Sequence, residues 1–215
     1  MIVCSFCYIY KAIIHEPLTI YPDMFFQFKD KFPHLIQHWD TYIGMHKRIE
    51  VPARTVLLHE GEISKRSFVV EKGCLRVWFN NNGKDTTFQF FFEGEGLASL
   101  ESFRKNIPGM FTIETIEPCT IYVLEKKDYE TIMLTLSKEV DFLNEMLNIS
   151  FERQLHYMKE FLSFIRDTPQ QRYLNLLNEK PQIIQRVPQH YIASYLGITT
   201  VHLSRIKSRL LKEKR

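Results

Sequence analysis

The spacing of apolar residues near the end of the chain predicts two short helices joined by a tight turn. Six apolar positions recur at helical intervals on either side of Gly197: Ile192, Ala193, Leu196, Leu203, Ile206 and Leu210. Gly197 breaks the pattern, since only glycine reaches positive φ without steric cost, and Thr199 is a favourable N-cap for the second helix. This pattern is typical of a helix-turn-helix, with the small Ala193 where the helices cross.

The outward face of the second predicted helix is polar and basic, which suits contacts with phosphates and base edges. Its residues are Thr200, His202, Arg205, Lys207, Ser208 and Arg209. From residue 181 onward, seven Lys and Arg residues stand against Glu213 alone, so this stretch carries +6 in a chain of formal net charge +3. The charge favours a polyanionic partner, although a solvated basic tail would give the same count.

Between residues 47 and 124 the pattern changes to short β-branched and aromatic runs separated by Gly, Asn and Pro. The predicted strands are 47–51, 55–59, 67–72, 74–80, 84–92, 111–116 and 120–125. Asn81-Asn82-Gly83 predicts a hairpin turn, and 97–103 is a short helical interruption. Many short strands at regular spacing predict a sandwich or barrel of the jelly-roll kind.

A long apolar stripe follows within a helical stretch over 126–167. Its members step by three or four residues: Val140, Leu143, Leu147, Phe151, Leu155, Met158, Leu162 and Ile165. A stripe this long favours a partner helix of equal length, and we interpret Val140 to Leu162 as a homodimer interface. The alternative is a helix that packs only on its own β-domain.

Residues 168–171 carry the signals of a new helix N-terminus, which we interpret as a domain boundary. Thr168 is an N-cap, Pro169 takes the first helical position and Gln171 takes the third. We expect a helix over 169–178 and an irregular link over 180–188. The predicted organisation is an uncertain extension over 1–23, a sensor domain over 24–125, a dimerisation segment over 126–167 and a DNA-binding domain over 168–215.

The N-terminal region carries no targeting signal that we recognise. Residues 1–23 lack a basic residue ahead of their apolar stretch, and no apolar run approaches the roughly 20 residues that span a bilayer, so we expect a cytoplasmic protein without a membrane partner. Amphipathic helices over 24–45, divided at Pro33, make Met24 a candidate natural start. Cys4 and Cys7 have the spacing of iron–sulfur or zinc ligands, but no third ligand is near, and we expect neither metal nor cofactor.

The order of these parts resembles the Crp/Fnr superfamily of transcription regulators, from about Met24 to the C-terminus. The resemblance rests on residues 57–62 (LLHEGE), 68–73 (FVVEKG) and 82–84 (NGK), and within 187–205 on IA at 192–193, LG at 196–197 and LSR at 203–205. It implies an α+β fold with a β-roll sensor domain, a long dimerisation helix and a C-terminal winged-helix-like helix-turn-helix domain. The wing is expected to be short or absent.

Members of the superfamily that bind cyclic nucleotides hold the ribose with a Gly-Glu pair and the cyclic phosphate with an Arg-Ser pair. Counting onward from Gly94-Glu95 places these pairs on Ala98-Ser99 and Gly109-Met110, which lack both chemistries. A buried phosphate without a guanidinium would be an unpaired charge, so we expect no binding of cyclic AMP unless Arg104 or Lys105 substitutes. An effector pocket at Glu95, Ala98, Ser99, Arg104, Gly109 and Met110 is then empty, takes an apolar or neutral ligand, or is only structural.

The resemblance also implies roles on the second helix of the pair. The superfamily's base-reading positions fall on Thr200, Val201 and Arg205, and Arg205 can still hold guanine through two hydrogen bonds. Its phosphate-contact positions fall on Gln189, His202 and Ser208. The full predicted DNA-binding set is Gln189, Thr199, Thr200, His202, Arg205, Lys207, Ser208 and Arg209. The expected partners are a palindromic double-stranded DNA operator, a second copy of the chain and RNA polymerase.

Two rival interpretations belong to other classes of protein. A metal-dependent jelly-roll enzyme of the cupin kind would need clustered histidines, but His59 is the only histidine between residues 47 and 125. The sequence also has no nucleophile elbow and no Gly-rich phosphate-binding loop, so we expect no enzyme. A ligand-sensing or protein-interaction module that has lost specific DNA binding would keep the same fold. Salt-dependent DNA binding distinguishes this module from a regulator.

Overall fold

The computed structural model describes residues 36–213 of the 215-residue chain. The predictions made for residues 1–35 lie outside the described residues. They are the Cys4/Cys7 pair, the first of the two amphipathic helices and the candidate start at Met24.

The described residues form eight strands and eight helices. The strands are β1 (Lys47–Val51), β2 (Val56–Leu58), β3 (Arg66–Lys72), β4 (Leu75–Asn81), β5 (Lys84–Phe91), β6 (Gly96–Leu97), β7 (Thr112–Thr115) and β8 (Cys119–Glu125). The helices are α1 (Ile36–Gly44), α2 (Leu100–Lys105), α3 (Lys126–Leu136), α4 (Val140–Arg166), α5 (Pro169–Glu179), α6 (Pro181–Arg186), α7 (Gln189–Tyr195) and α8 (Thr200–Glu213). The predicted α+β class, with an N-terminal β-roll followed by helices, is confirmed.

The strands form two four-stranded sheets, in the orders β1-β8-β3-β6 and β2-β7-β4-β5. In the first sheet β8 is central, and Val123 lies opposite Lys47 of β1 on one side and Phe68 of β3 on the other. Strand β6 was not predicted, because its two residues pair with β3 through Phe68 and Val69 and give no periodic signal of their own. Helix α2 consequently begins at Leu100, later than the interruption predicted from residue 97.

The predicted hairpin turn lies between β4 and β5. Asn82 and Gly83 both have positive φ, +53° and +84°, as a type I′ turn requires. The Gly83 N–H donates to Asn80 Oδ1 over 2.7 Å, which fixes the turn further.

The helical stretch predicted over 126–167 is divided into two helices, α3 and α4, at residues 137–139. The division lets Ile132 and Leu136 of α3 and Phe142 of α4, all fully buried, enter one apolar cluster with the β-roll residues Phe103 and Leu124. A single straight helix would carry its apolar stripe past that cluster.

The irregular link predicted over 180–188 is wrong, since residues 181–186 form helix α6. Pro181 takes the first helical turn, where its missing N–H costs nothing. Ile183, 2% exposed, anchors this helix in the apolar interior.

Contacts divide the chain into two compact units. The first contains the described residues up to Arg76 together with Phe91–Gln154, and the second contains Val77–Phe90 together with the residues from Leu155 onward. Most of the β4–β5 hairpin therefore belongs with the C-terminal helices, which no sequence pattern had indicated. No helix within residues 36–213 combines the length and the apolar character that crossing a bilayer requires.

Gly73, between β3 and β4, is a position where substitution should test the packing directly. Its φ is +106°, and a Cβ there would lie 2.5 Å from Cys119 Sγ and 2.8 Å from the Pro118 carbonyl oxygen. Gly61 also has positive φ, +87°, but a Cβ there meets nothing within 4 Å. We expect Gly73→Ala to lower the free energy of unfolding by about 1–3 kcal/mol more than Gly61→Ala, measured by urea denaturation. Equal losses of unfolding free energy in the two variants would show that the residues around Gly73 shift to accommodate the added methyl group without cost.

Candidate nucleic-acid interface

The turn between α7 and α8 is closed by the backbone pattern of a Schellman motif. Gly197 has a φ of +69°. The Ile198 N–H donates to the Ala193 carbonyl over 2.9 Å, and the Gly197 N–H donates to the Ser194 carbonyl over 3.0 Å. The Thr199 hydroxyl accepts the His202 N–H over 3.2 Å, which caps α8. The left-handed glycine and the threonine cap are both where the sequence predicted them.

Helices α7 and α8 bury one apolar face and expose a face that is mostly polar. The buried face consists of Ile192, Ala193, Leu196, Leu203 and Ile206, each at most 5% exposed, with Leu210 partly buried. Seven of the eight predicted DNA-binding residues are exposed, and Lys207 is half-buried. The exposed members are Gln189, Thr199, Thr200, His202, Arg205, Ser208 and Arg209.

The outer face of α8 is flanked on two sides by hydrogen bonds to neighbouring helices. On one flank Lys207 Nζ donates to Gln189 Oε1 at the start of α7, over 3.1 Å. On the other flank Arg209 Nη1 donates to Gln170 Oε1 at the start of α5, over 3.4 Å. Arg205 lies between these flanks and makes no hydrogen bond or ion pair within the described part of the chain.

A groove of about 650 Å³ separates α8 from the start of α5. Its walls are Thr168, Pro169 and Gln170 on one side and Thr199, Val201, His202, Arg205, Ile206 and Arg209 on the other. The positive end of the α5 dipole opens toward two arginines here, so the groove favours an anion. Gln170 was not singled out from sequence, although the capping motif at residues 168–171 was the signal that marked its position.

Arg172 of α5 joins the end of α4 to the end of α7. Its Nη1 donates to the Asp167 carbonyl over 2.9 Å, and its Nη2 donates to the Leu196 carbonyl over 3.0 Å. The guanidinium also lies 4.9 Å above the Phe164 ring. Sequence reasoning missed this residue. The available signal was the position of Arg172 in the first turn of α5. The helix dipole disfavours a cation there unless other groups accept its hydrogen bonds.

Glu160 of α4 is the centre of a second network in the same unit. Its Oε1 lies 2.8 Å from Lys180 Nζ and 3.3 Å from His156 Nε2, and it accepts the Tyr195 hydroxyl over 3.1 Å. Burial alone would raise the pKa of the Glu160 carboxyl, but the hydrogen bonds and charges of His156 and Lys180 outweigh burial and lower it to about 2. The carboxylate is therefore charged throughout the neutral range and holds α5 and α7 to α4.

The β4–β5 hairpin also contacts α7. The Thr87 N–H donates to Ser194 Oγ over 2.9 Å, and the Ser194 hydroxyl donates to the Asp85 carbonyl over 3.1 Å. The Phe90 and Tyr195 rings lie 5.6 Å apart. Ser194, on the first helix of the pair, thus satisfies two backbone groups of the hairpin.

The apolar stripe of α4 is exposed along its whole length. Its seven predicted interface residues are between 39% and 69% exposed: Val140, Leu143, Leu147, Phe151, Leu155, Met158 and Leu162. Another face of the helix buries Phe142, Ile149 and Arg153 within the first unit.

Three of the six residues predicted for an effector pocket line one small cavity. Ser99, Gly109 and Met110 line a cavity of about 10 Å³, whereas Glu95, Ala98 and Arg104 do not line it. Backbone hydrogen bonds of Gly109 with residues 61 and 62 draw the two loops together. Ligand pockets usually enclose 300 Å³ or more, and this space is about that of one water molecule.

Comparisons with known proteins agree with this geometry. Residues 48–135 match the model of the cyclic nucleotide-binding domain family. This match covers the β-roll and helix α3. The resemblance to the Crp/Fnr superfamily is thereby confirmed for the fold, and the match does not identify a ligand. No curated protein matches the chain significantly.

Solved structures share the Crp/Fnr-type fold over most of the chain at low sequence identity. The c-di-GMP-responsive global regulator CLP of Xanthomonas campestris is 14% identical, with a TM-score of 0.65 over 83% of this chain and 93% of that one. FixK2 of Bradyrhizobium japonicum is 16% identical, with a TM-score of 0.64 over 79% of this chain and 86% of that one. A CooA variant of Carboxydothermus hydrogenoformans is 15% identical, with a TM-score of 0.56 over 79% and 78%.

Clusters of metal ligands are not found in the described part of the chain. No three His, Cys, Asp or Glu side chains come together within residues 36–213 in a way that would hold a metal ion. Cys74 and Cys119 are buried and are not joined in a disulfide.

The Glu160 network predicts a specific dependence of stability on pH. The folded pKa of about 2 lies below the ordinary value of 4.5, so the network's contribution is complete above pH 4.5 and is lost as the pH falls toward 2. We expect Glu160→Gln to cost up to ~3 kcal/mol at pH 7 and progressively less below pH 4.5, by urea denaturation. Glu179→Gln, on the exposed end of α5, is the control. A constant difference across pH would contradict the assignment.

Proposed function

We propose that this protein is a homodimeric, sequence-specific DNA-binding transcription regulator, and not an enzyme. The observation that carries the proposal is the outer face of α8, where exposed polar and basic side chains lie between the starts of α5 and α7. In this proposal α7 and α8 act as a helix-turn-helix, with α8 in the major groove of a palindromic operator.

Charge and helix ends support DNA as the partner. The +6 charge from residue 181 onward would displace counterions from the phosphate backbone. The groove beside α5 would receive a backbone phosphate between the α5 N-terminus and Arg209, and Lys207 with Gln189 would hold the phosphates on the opposite flank. These contacts position the protein, and Arg205 between them reads a base.

The exposed stripe on α4 supports a homodimer. A monomer rarely leaves so long a line of large apolar side chains in water. A second copy of the same helix would bury the stripe and carry two reading helices to successive half-sites. RNA polymerase is the further partner that we propose.

We propose that the β-roll does not bind cyclic AMP and instead sets the geometry of the dimer or responds to another signal. The cavity at Ser99 and Gly109 has no room for a nucleotide, and no guanidinium lines it. The β4–β5 hairpin, continuous in sequence with the β-roll and hydrogen-bonded to Ser194, offers a route by which a change in the β-roll reaches α7.

The reading role of Arg205 is tested with a pool of random duplex DNA, selected and sequenced at two salt concentrations, with and without cyclic AMP. We expect a palindrome, weaker binding at high salt and no effect of cyclic AMP. Arg205→Ala should weaken binding to that palindrome about 5- to 150-fold per half-site and relax specificity at one base pair in each. Arg104→Ala, an equal loss of charge on the β-roll, is the control. A pool without enrichment would favour the protein-interaction module.

The dimer is tested by placing a charge in the stripe. Leu147→Glu should convert the protein to a monomer in analytical ultracentrifugation, because each copy would place a carboxylate in the apolar interface. Leu134→Glu changes a residue that is 70% exposed on α3, outside the stripe, and should leave the dimer intact. A Leu147→Glu protein that still sediments as a dimer would place the interface elsewhere.

A further inference from the structure

Helix α8 presents one bulky apolar side chain on its outermost face near its start. Val201 is 59% exposed, although it lies among polar and basic residues. At 100° per residue, Val201, Arg205 and Ser208 fall within about 60° of one another and opposite the buried Leu203 and Ile206. These three residues form the ridge of the helix, which we call the reading ridge.

Two other basic residues of α8 are already engaged with neighbouring helices. Lys207 is hydrogen-bonded to Gln189 and Arg209 to Gln170, whereas Arg205 makes no such bond within residues 36–213. The side chains of the reading ridge, an arginine, a serine and a valine, therefore remain available to a base edge. An apolar side chain on this ridge can neither donate a hydrogen bond to a phosphate nor pair with its charge.

The chemistry of the major groove restricts what a valine can recognise there. Thymine alone among the four bases presents a methyl group in this groove, while the other bases present donors and acceptors. A valine placed over the amino group of cytosine or adenine would remove a hydrogen-bonding water and give nothing in return. Val201 and Arg205 are separated by about one helical turn, or ~6 Å, which corresponds to one or two base-pair steps.

We propose that Val201 selects thymine through its 5-methyl group, within two base pairs of the guanine that Arg205 holds. This assignment rests on the proposed function and adds a half-site in which a T and a G are read as a unit. The selectivity comes from contact between two methyl-bearing groups, so it requires no charge on the protein and is insensitive to salt.

The test uses the operator recovered from the random pool and replaces each thymine in turn, in both half-sites, by deoxyuridine. This change removes only the methyl group and keeps the base pair. At one thymine per half-site we expect wild-type binding to weaken roughly fourfold per half-site, the factor that burial of one methyl implies. Val201→Ala should lose a similar factor on the thymine operator and become insensitive to deoxyuridine at that position.

Two variants separate recognition from general damage to the helix. Val201→Thr retains a methyl group and should keep most of the sensitivity to deoxyuridine, whereas Leu211→Ala removes a residue 67% exposed elsewhere on α8 and should change nothing. Equal sensitivity of wild type and Val201→Ala at every thymine would overturn the assignment and leave the regulator intact. A pool that yields no site would overturn the proposed function and this assignment together.

Discussion

The hydrogen bonds of Arg172 determine how the C-terminal unit is assembled. The last carbonyls of a helix have no partner within it, and a cation there is favourable. One guanidinium satisfies carbonyls at the ends of α4 and α7 and stacks on Phe164, whose ring lies 3.5 Å from where a Cβ on Gly197 would be. These contacts hold the tight turn ahead of α8 at the end of α4. Glu160, one turn or more earlier on α4, makes a second connection to α7 through the Tyr195 hydroxyl.

Helix α4 carries two apolar faces, one buried and one exposed. Phe142 and Ile149 are buried in the first unit, and the stripe that contains Leu147 is left in solvent. A helix that packed only on its own domain would have no reason to carry the second face. In the proposed dimer this face is filled, so that movement of one α4 against its partner would be passed through Arg172 to the turn at Gly197.

The small cavity at Ser99 and Gly109 bears on the proposed function of the β-roll. Gly109 forms backbone hydrogen bonds to the loop at residues 61 and 62, and Ser99 lies 3.0 Å from where a Cβ on Gly109 would be. These hydrogen bonds join the loop at Gly109 to the loop that follows β2. In the proposed function the domain keeps its fold, which depends on strand pairing, without binding a cyclic nucleotide.

The sequence by itself determined the local features, because each rests on the chemistry of a few neighbouring residues. The turn at Asn82-Gly83, the left-handed Gly197, the cap at Thr199 and the apolar stripe of α4 all have this origin. Only the tertiary structure decided what depends on distant partners: the two-residue strand β6, the division between α3 and α4, helix α6, and the pairing of the hairpin with Ser194. It also decided the role of Arg172, because its partners are main-chain carbonyls, which every residue carries and no sequence pattern can mark.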